Sequence, residues 1–196
     1  MNVRDQLLEA AVRVYAEGGY HGATTRRIAA AAGVNEITLF RHFGSKDVLL
    51  QAALAHCQAE GAVPLPEQPL DPLPELTAWS RSHLLHLQQR AALIRTCLGE
   101  FAERPELVTP EISCPVQATR ALAAYLERLQ EQSLSAERFD PRAAAAMLLG
   151  TLFADAIGRD IVPDMYAVPT EEALTQYVTL FLRGIGVETS TPRSSA

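Results

Sequence analysis

An all-α fold is predicted by three features of the 196-residue sequence. Apolar residues recur every three or four positions in one segment after another, prolines collect in the intervals between segments, and capping residues stand where the segments begin. The segments group into a three-helix head containing a helix-turn-helix (residues 1–47), a connecting helix (45–60) and a larger helical bundle (61–187). Residues 188–196 read as a disordered tail, rich in serine and threonine and lacking large apolar groups.

In the first helix Asn2 is the cap, Val3, Leu7, Ala11 and Val14 form an apolar stripe widened by Leu8 and Tyr15, and Gly18-Gly19 is the stop. Thr24 and Thr25 offer hydroxyls where a second helix starts, and Ile28 and Ala32 share one of its faces. Gly33 tolerates the left-handed backbone needed to turn the chain within three residues, and Val34 tucks under that turn. Asn35 caps a third helix, Glu36 to Phe43, which buries Leu39 and Phe43 and projects Glu36, Ile37, Thr38, Phe40 and Arg41 outward. The first helix has to cover Ile28 and Phe43, because two short helices alone bury too little surface.

Ser45 caps the connecting helix, whose apolar side is Val48, Leu49, Ala52, Ala53 and His56. Five prolines between Gly61 and Pro74 mark the domain boundary. Glu75 to Glu103 is helical, either continuous or broken near Ala91, and Pro105, Pro110 and Pro115 force a loop after it. Val116 to Glu131 resumes the helical period. Asp140 caps a helix with Pro141 in first position that runs to Arg159, and Thr170 caps the last one, which closes at Gly184 and Gly186.

The outward set on the third helix suits a major groove. The string T-T-x-x-I-A-x-x-A-G-V-x-x-x-T-L-x-x-H-F-x-S-K, spanning Thr24 to Lys46, resembles the TetR/AcrR family of bacterial transcriptional regulators. The resemblance covers the first quarter of the chain and implies a homodimeric repressor that leaves its operator when a small molecule binds the C-terminal domain. Two positions depart from the family pattern: Ile37 stands where a small residue or proline is usual, and Phe40 where a tyrosine is usual, so Phe40 lacks a hydroxyl for a phosphate.

Charge distribution agrees with that expectation. The net charge of −6 opposes a nonspecific nucleic-acid coat, but residues 1–50 carry six basic groups against five acidic ones, and the excess of acid lies entirely in the remainder. Local cations can meet phosphates while the acidic body discourages random sites. The uncharged run from Ala143 to Ala154 is short of the ~20 residues that span a bilayer, and the N-terminus lacks the apolar core of a secretory signal, so a cytoplasmic protein is expected. Cys57, Cys97 and Cys114 lack the close spacing of zinc sites and read as reduced. No metal or cofactor is expected.

Candidate DNA contacts are Thr24, Thr25, Arg26, Asn35, Glu36, Ile37, Thr38, Phe40, Arg41, His42 and Lys46. Thr24 and Thr25 can meet a phosphate or simply cap; by resemblance Arg26 reaches a base edge and His42 and Lys46 touch the backbone. Glu36 can accept from a cytosine amino group or merely favour the helix dipole, and Ile37 and Thr38 can touch a thymine methyl. An effector pocket is expected from Trp79, His83, Leu87, Cys97, Phe101, Tyr125, Met147 and Thr151, although apolar stripes are first of all core. The last two long helices look apolar over more of their circumference than one core needs, so Gly150, Ala154, Gly158, Leu174, Val178 and Phe181 are expected at a two-fold four-helix dimer interface. A helical adaptor or a helical-bundle enzyme are the alternatives; for the enzyme, no nucleophile with a base and no phosphate-binding glycine loop is present.

Overall fold

The computed structural model describes residues 2–58, 63–101 and 114–189, apart from the side chains of 57, 58, 100, 101, 114 and 115. Its helices are α1 (Val3–Gly22), α2 (Thr25–Ala31), α3 (Glu36–Phe43), α4 (Lys46–Gln58), α5 (Pro72–Gln89), α6 (Ala91–Phe101), α7 (Cys114–Glu131), α8 (Pro141–Gly158) and α9 (Thr170–Gly184). They form two compact units, α1–α4 with α6, and α5 with α7–α9.

In the first unit α1 is the central rod, packed against α2, α4 and α6. Asn2 accepts from the Asp5 N–H at 2.9 Å, and Leu7, Leu8, Ala11, Val14 and Tyr15 are buried along the expected stripe. At Gly19 the backbone leaves helical geometry (φ 62°), but helical turns resume as far as Gly22, so the glycine pair breaks the helix without ending it. The turn after α2 is a Schellman motif: Val34 N–H reaches Ala29 C=O at 3.0 Å, Gly33 N–H reaches Ala30 C=O at 3.1 Å, and Gly33 has φ +69°. In α4, Leu49, Leu50 and Ala53 turn inward while Val48 is exposed, a shift of the expected face.

Packing departs from the expected division at residue 61 in one element. Leu93 and Cys97 on α6 sit in the same core as Leu8, Tyr15, Ile28 and Leu39, and Thr96 donates to the Ala16 carbonyl at 3.2 Å. Sequence periodicity marked α6 as apolar but could not say which unit its stripe would join.

The second unit is centred on α5, which packs against α8 and α9. It starts three residues before the expected Glu75, because Pro72 and Pro74 fall in the first turn, where a missing N–H costs no intrahelical bond. Glu75 reaches back to the Leu70 and Asp71 N–H groups at 3.0 Å and accepts from the Tyr125 hydroxyl at 2.7 Å, joining α7 to α5. Burial alone would raise the Glu75 pKa, but these three donors bring it below the ordinary value. Asp140 caps α8 as expected, accepting from the Arg142 and Ala143 N–H groups at 2.8 Å. Thr170 is instead the first residue of α9, preceded by Pro169 with no side-chain cap.

Asp155 is 0 % exposed and paired. Arg159 donates to it through Nε at 3.0 Å, and Tyr177 on α9 donates to it at 2.9 Å. The other arm of Arg159 takes the carbonyls of Tyr166 and Val168, fixing the segment between α8 and α9, where Pro163–Tyr166 forms a 3-10 turn. Such a network is costly to break at one member, since a lone buried charge would remain.

Two outcomes are expected. Gly33→Ala should destabilise the protein by about 1–2 kcal/mol in urea titration, from the positive φ alone, since no atom lies near the added methyl; an unchanged midpoint would contradict the turn's dependence on glycine. The pKa of His83, stacked on Trp79, is lowered to about 4, by burial first and by His86 second. As pH falls from about 6.5 towards 4 the unfolded chain takes a proton that the folded one declines, so stability should drop in that window and not above it. His83→Phe should flatten the drop in thermal unfolding.

Candidate nucleic-acid interface

Helix α3 is held on one side and presented on the other. Leu39 and Phe43, one turn apart, are buried in the core with α1 and α2. Arg4 on α1 lies 5.5 Å from the Phe43 ring centroid and covers it further. Ile37, by contrast, is 78 % exposed and Phe40 45 % exposed, beside exposed Arg41 and His42.

The caps explain which polar groups are spent. Asn35 accepts from the Thr38 N–H at 2.8 Å and from the Thr38 hydroxyl at 2.9 Å, so Thr38 serves the helix start and is half-buried. Thr24 caps α2 by accepting from the Arg27 N–H at 3.2 Å. Thr25 is left free of that duty. Its hydroxyl donates to the Glu36 carboxylate and links the start of α2 to the start of α3. Two expected DNA contacts therefore face each other, and the single Thr25 proton is committed to Glu36 rather than turned to an incoming phosphate.

The cations divide similarly. Lys46 Nζ donates to the Tyr20 carbonyl and lies 3.6 Å from the Tyr20 ring centroid, while the Tyr20 hydroxyl donates to Asp47 at 2.6 Å. This cluster ties the end of α1 to the start of α4 and occupies the lysine expected on DNA. Arg27 is likewise structural, donating to the Gly22 carbonyl at 2.7 Å and pairing with Glu17 at 3.4 Å. Among the described residues, exposed Arg26 and Arg41 have no hydrogen-bond or ion-pair partner. The outer face of α3 thus offers methyl and aromatic surface, a guanidinium and a histidine, with a carboxylate at its first turn.

The expected effector-pocket residues are divided between the two units. Trp79, His83 and Leu87 share one side of α5, with the Trp79 and His83 rings parallel within 2° and 5.2 Å apart. Tyr125 is fully buried, its hydroxyl given to Glu75. Cys97 belongs to the first unit's core, Met147 is 56 % exposed, and the Thr151 hydroxyl donates to the Met147 carbonyl at 3.0 Å. The Phe101 side chain lies outside the described residues.

The expected dimer residues need a correction. Leu174, Val178 and Phe181 are buried within the chain's own second unit, where α9 meets α5 and α8, so they are not free for a second copy. Gly158 is covered by the Tyr166 ring, which a Cβ there would meet at 2.8 Å. Gly150 and Ala154 do remain exposed, as do Ala143, Ala146 and Met147 on α8 and, at 65 %, Leu180 on α9. Leu180 stands next to buried Phe181 and cannot share its face.

Among the described residues no group of three or more His, Cys, Asp or Glu is placed to hold a metal ion, and no helix is long and apolar enough to cross a membrane. Asp155 accepts from both Arg159 and Tyr177.

Comparison with known proteins bears directly on α1–α4. Residues 7–53 match the family model described as bacterial regulatory proteins, tetR family. The chain is 26% identical over 185 residues to the HTH-type transcriptional regulator YvkB of Bacillus subtilis, covering 93% of this chain and 97% of that one. It is 46% identical over 52 residues to the HTH-type transcriptional repressor AcnR of Corynebacterium efficiens, which covers 26% of this chain and 28% of the repressor. A crystal structure of a transcriptional regulator from Rhodococcus superposes with a TM-score of 0.73 at 25% identity, over 95% of this chain and 99% of the other. Residues 7–53 thus carry the helix-turn-helix of the tetR family of bacterial regulatory proteins, and along nearly its whole length the chain resembles HTH-type transcriptional regulators in sequence and fold.

Proposed function

We propose that this regulator is a cytoplasmic homodimeric repressor that binds an inverted-repeat operator and leaves it when a small apolar molecule occupies the second unit. The observation that carries the reading is the outward face of α3, where Ile37, Phe40 and Arg41 stand exposed on a helix pinned by Leu39 and Phe43. Ile37 meets a thymine methyl, Phe40 packs on sugar or methyl, Arg26 reaches a base edge or phosphate, and Arg41 and His42 meet the backbone. Lys46 supports this arrangement from within by fixing Tyr20. The repressor assignment follows AcnR, a transcriptional repressor to which the head is similar.

The second copy docks on the exposed small-residue face of α8, through Ala143, Ala146, Met147, Gly150 and Ala154, together with Leu180 of α9. Small residues there let the partner's helix come close. Two-fold pairing sets two α3 helices about 34 Å apart, or a multiple of that, to match successive major grooves. The Trp79, His83 and Leu87 side of α5 is the best-supported start for an effector site. By linkage, an effector that weakens operator binding must itself bind operator-bound protein less tightly, by the same factor.

Selection of duplexes from a randomised pool tests the reading, and recovery of an inverted repeat is expected. On that repeat Arg41→Ala should weaken operator and random DNA alike and lower the salt slope by about 1; an unchanged slope would remove Arg41 from the phosphate contacts. Leu180→Glu should give monomers by light scattering with the helical content retained, and a persistent dimer would mean that another face pairs.

A further inference from the structure

We infer that Thr25 and Glu36 work as one specificity device: Thr25 holds the Glu36 carboxylate in position to select a base pair that presents an amino group, cytosine N4 or adenine N6. The inference rests on the DNA-reading role of α3 given above and names what its first turn selects.

Three observations lead to it. Thr24 caps α2 and Asn35 caps α3, so neither Thr25 nor Glu36 is needed to close a helix start. Their side chains meet each other across 11 positions of sequence, half-buried, with the hydroxyl as donor and Glu36 Oε1 as acceptor. Among the described residues the second carboxylate oxygen, Oε2, has no partner.

A carboxylate accepts through both oxygens and donates through neither. Fixing one oxygen removes most of the side chain's rotational freedom and leaves a single acceptor presented next to exposed Ile37. On DNA this acceptor is penalised wherever it meets guanine O6 or N7 or a thymine carbonyl, because acceptor faces acceptor close to a line of phosphates. It is rewarded where it meets the amino group of cytosine or adenine. Specificity then comes largely from rejection, as expected of a like charge placed at an anionic surface. Ile37, one residue on, adds contact with a neighbouring thymine methyl. Thr25 is thus a positioning residue for Glu36, and its contribution depends on DNA sequence, unlike that of a hydroxyl bound to phosphate.

The test measures dissociation constants of wild type, Thr25→Val, Thr25→Ser, Glu36→Gln and the Thr25→Val/Glu36→Gln pair. Each is titrated with the duplex selected by wild type and with a random duplex, across a salt series. Thr25→Val should lower the operator-to-random affinity ratio by about tenfold, with affinity for random DNA and the salt slope unchanged. Thr25→Ser, which keeps the hydroxyl, should restore the ratio. Glu36→Gln should bind random DNA more tightly and change the base chosen at one position of each half-site, and the double variant should discriminate no worse than Glu36→Gln alone.

Equal weakening on both duplexes by Thr25→Val would put its hydroxyl on a phosphate and overturn the inference. So would a lowered melting temperature with an unchanged affinity ratio, which would make the pair a structural staple only. If Thr25→Val does not fold, Glu36→Gln decides: an unchanged base choice overturns the inference. Failure of wild type to prefer any duplex would instead reject the DNA-binding reading beneath it.

Discussion

An eight-residue helix does not persist in water by itself, because nucleation is costly and two turns return few hydrogen bonds. The recognition surface of this protein therefore depends on the burial of Leu39 and Phe43 against α1 and α2. That burial fixes the rotation of α3 about its axis and so determines that Ile37, Phe40 and Arg41 face outward. The Schellman turn at Gly33 sets the angle of entry, and Asn35 closes the helix start. The Tyr20, Lys46 and Asp47 cluster then ties the chain ends on either side of the helix pair. Most polar groups near the recognition helix stabilise the head, which leaves few to read DNA.

That division of labour corrects a simple motif reading. Lys46, Thr38 and Thr25 all stand at positions where a DNA contact is expected, yet each is engaged inside the chain, with Tyr20, Asn35 and Glu36 respectively. Arg26 and Arg41 stand exposed beside them without an internal partner among the described residues, on a protein whose overall charge is −6. Net charge thus disfavours adventitious association with nucleic acid while a local excess permits it.

Much of the head was legible in the sequence because its signals are local. A cap, a glycine at a forced positive φ and apolar pairs four apart specify helix ends and faces without reference to distant residues, and the Asn2, Gly33 and Asn35 assignments in the head, like Asp140 in the second unit, are of this kind. Partnership was not legible. The period that buries Leu174, Val178 and Phe181 says only that the stripe is covered, and the chain's own α5 and α8 cover it. Cys97 has the same ambiguity, since its stripe on α6 joins the head core and not the body. The contact between Thr25 and Glu36 needs two helices to be folded against each other before it exists, and so does the hydrogen bond from Tyr177 to Asp155.

In the reading proposed above, the exposed side of α3 lies on base edges. A crystal structure of the protein bound to its selected duplex tests it most directly. In that complex α3 is expected in the major groove with the Ile37 side chain within about 4 Å of a thymine methyl. A complex in which that side faces solvent, or in which another helix occupies the groove, would contradict it.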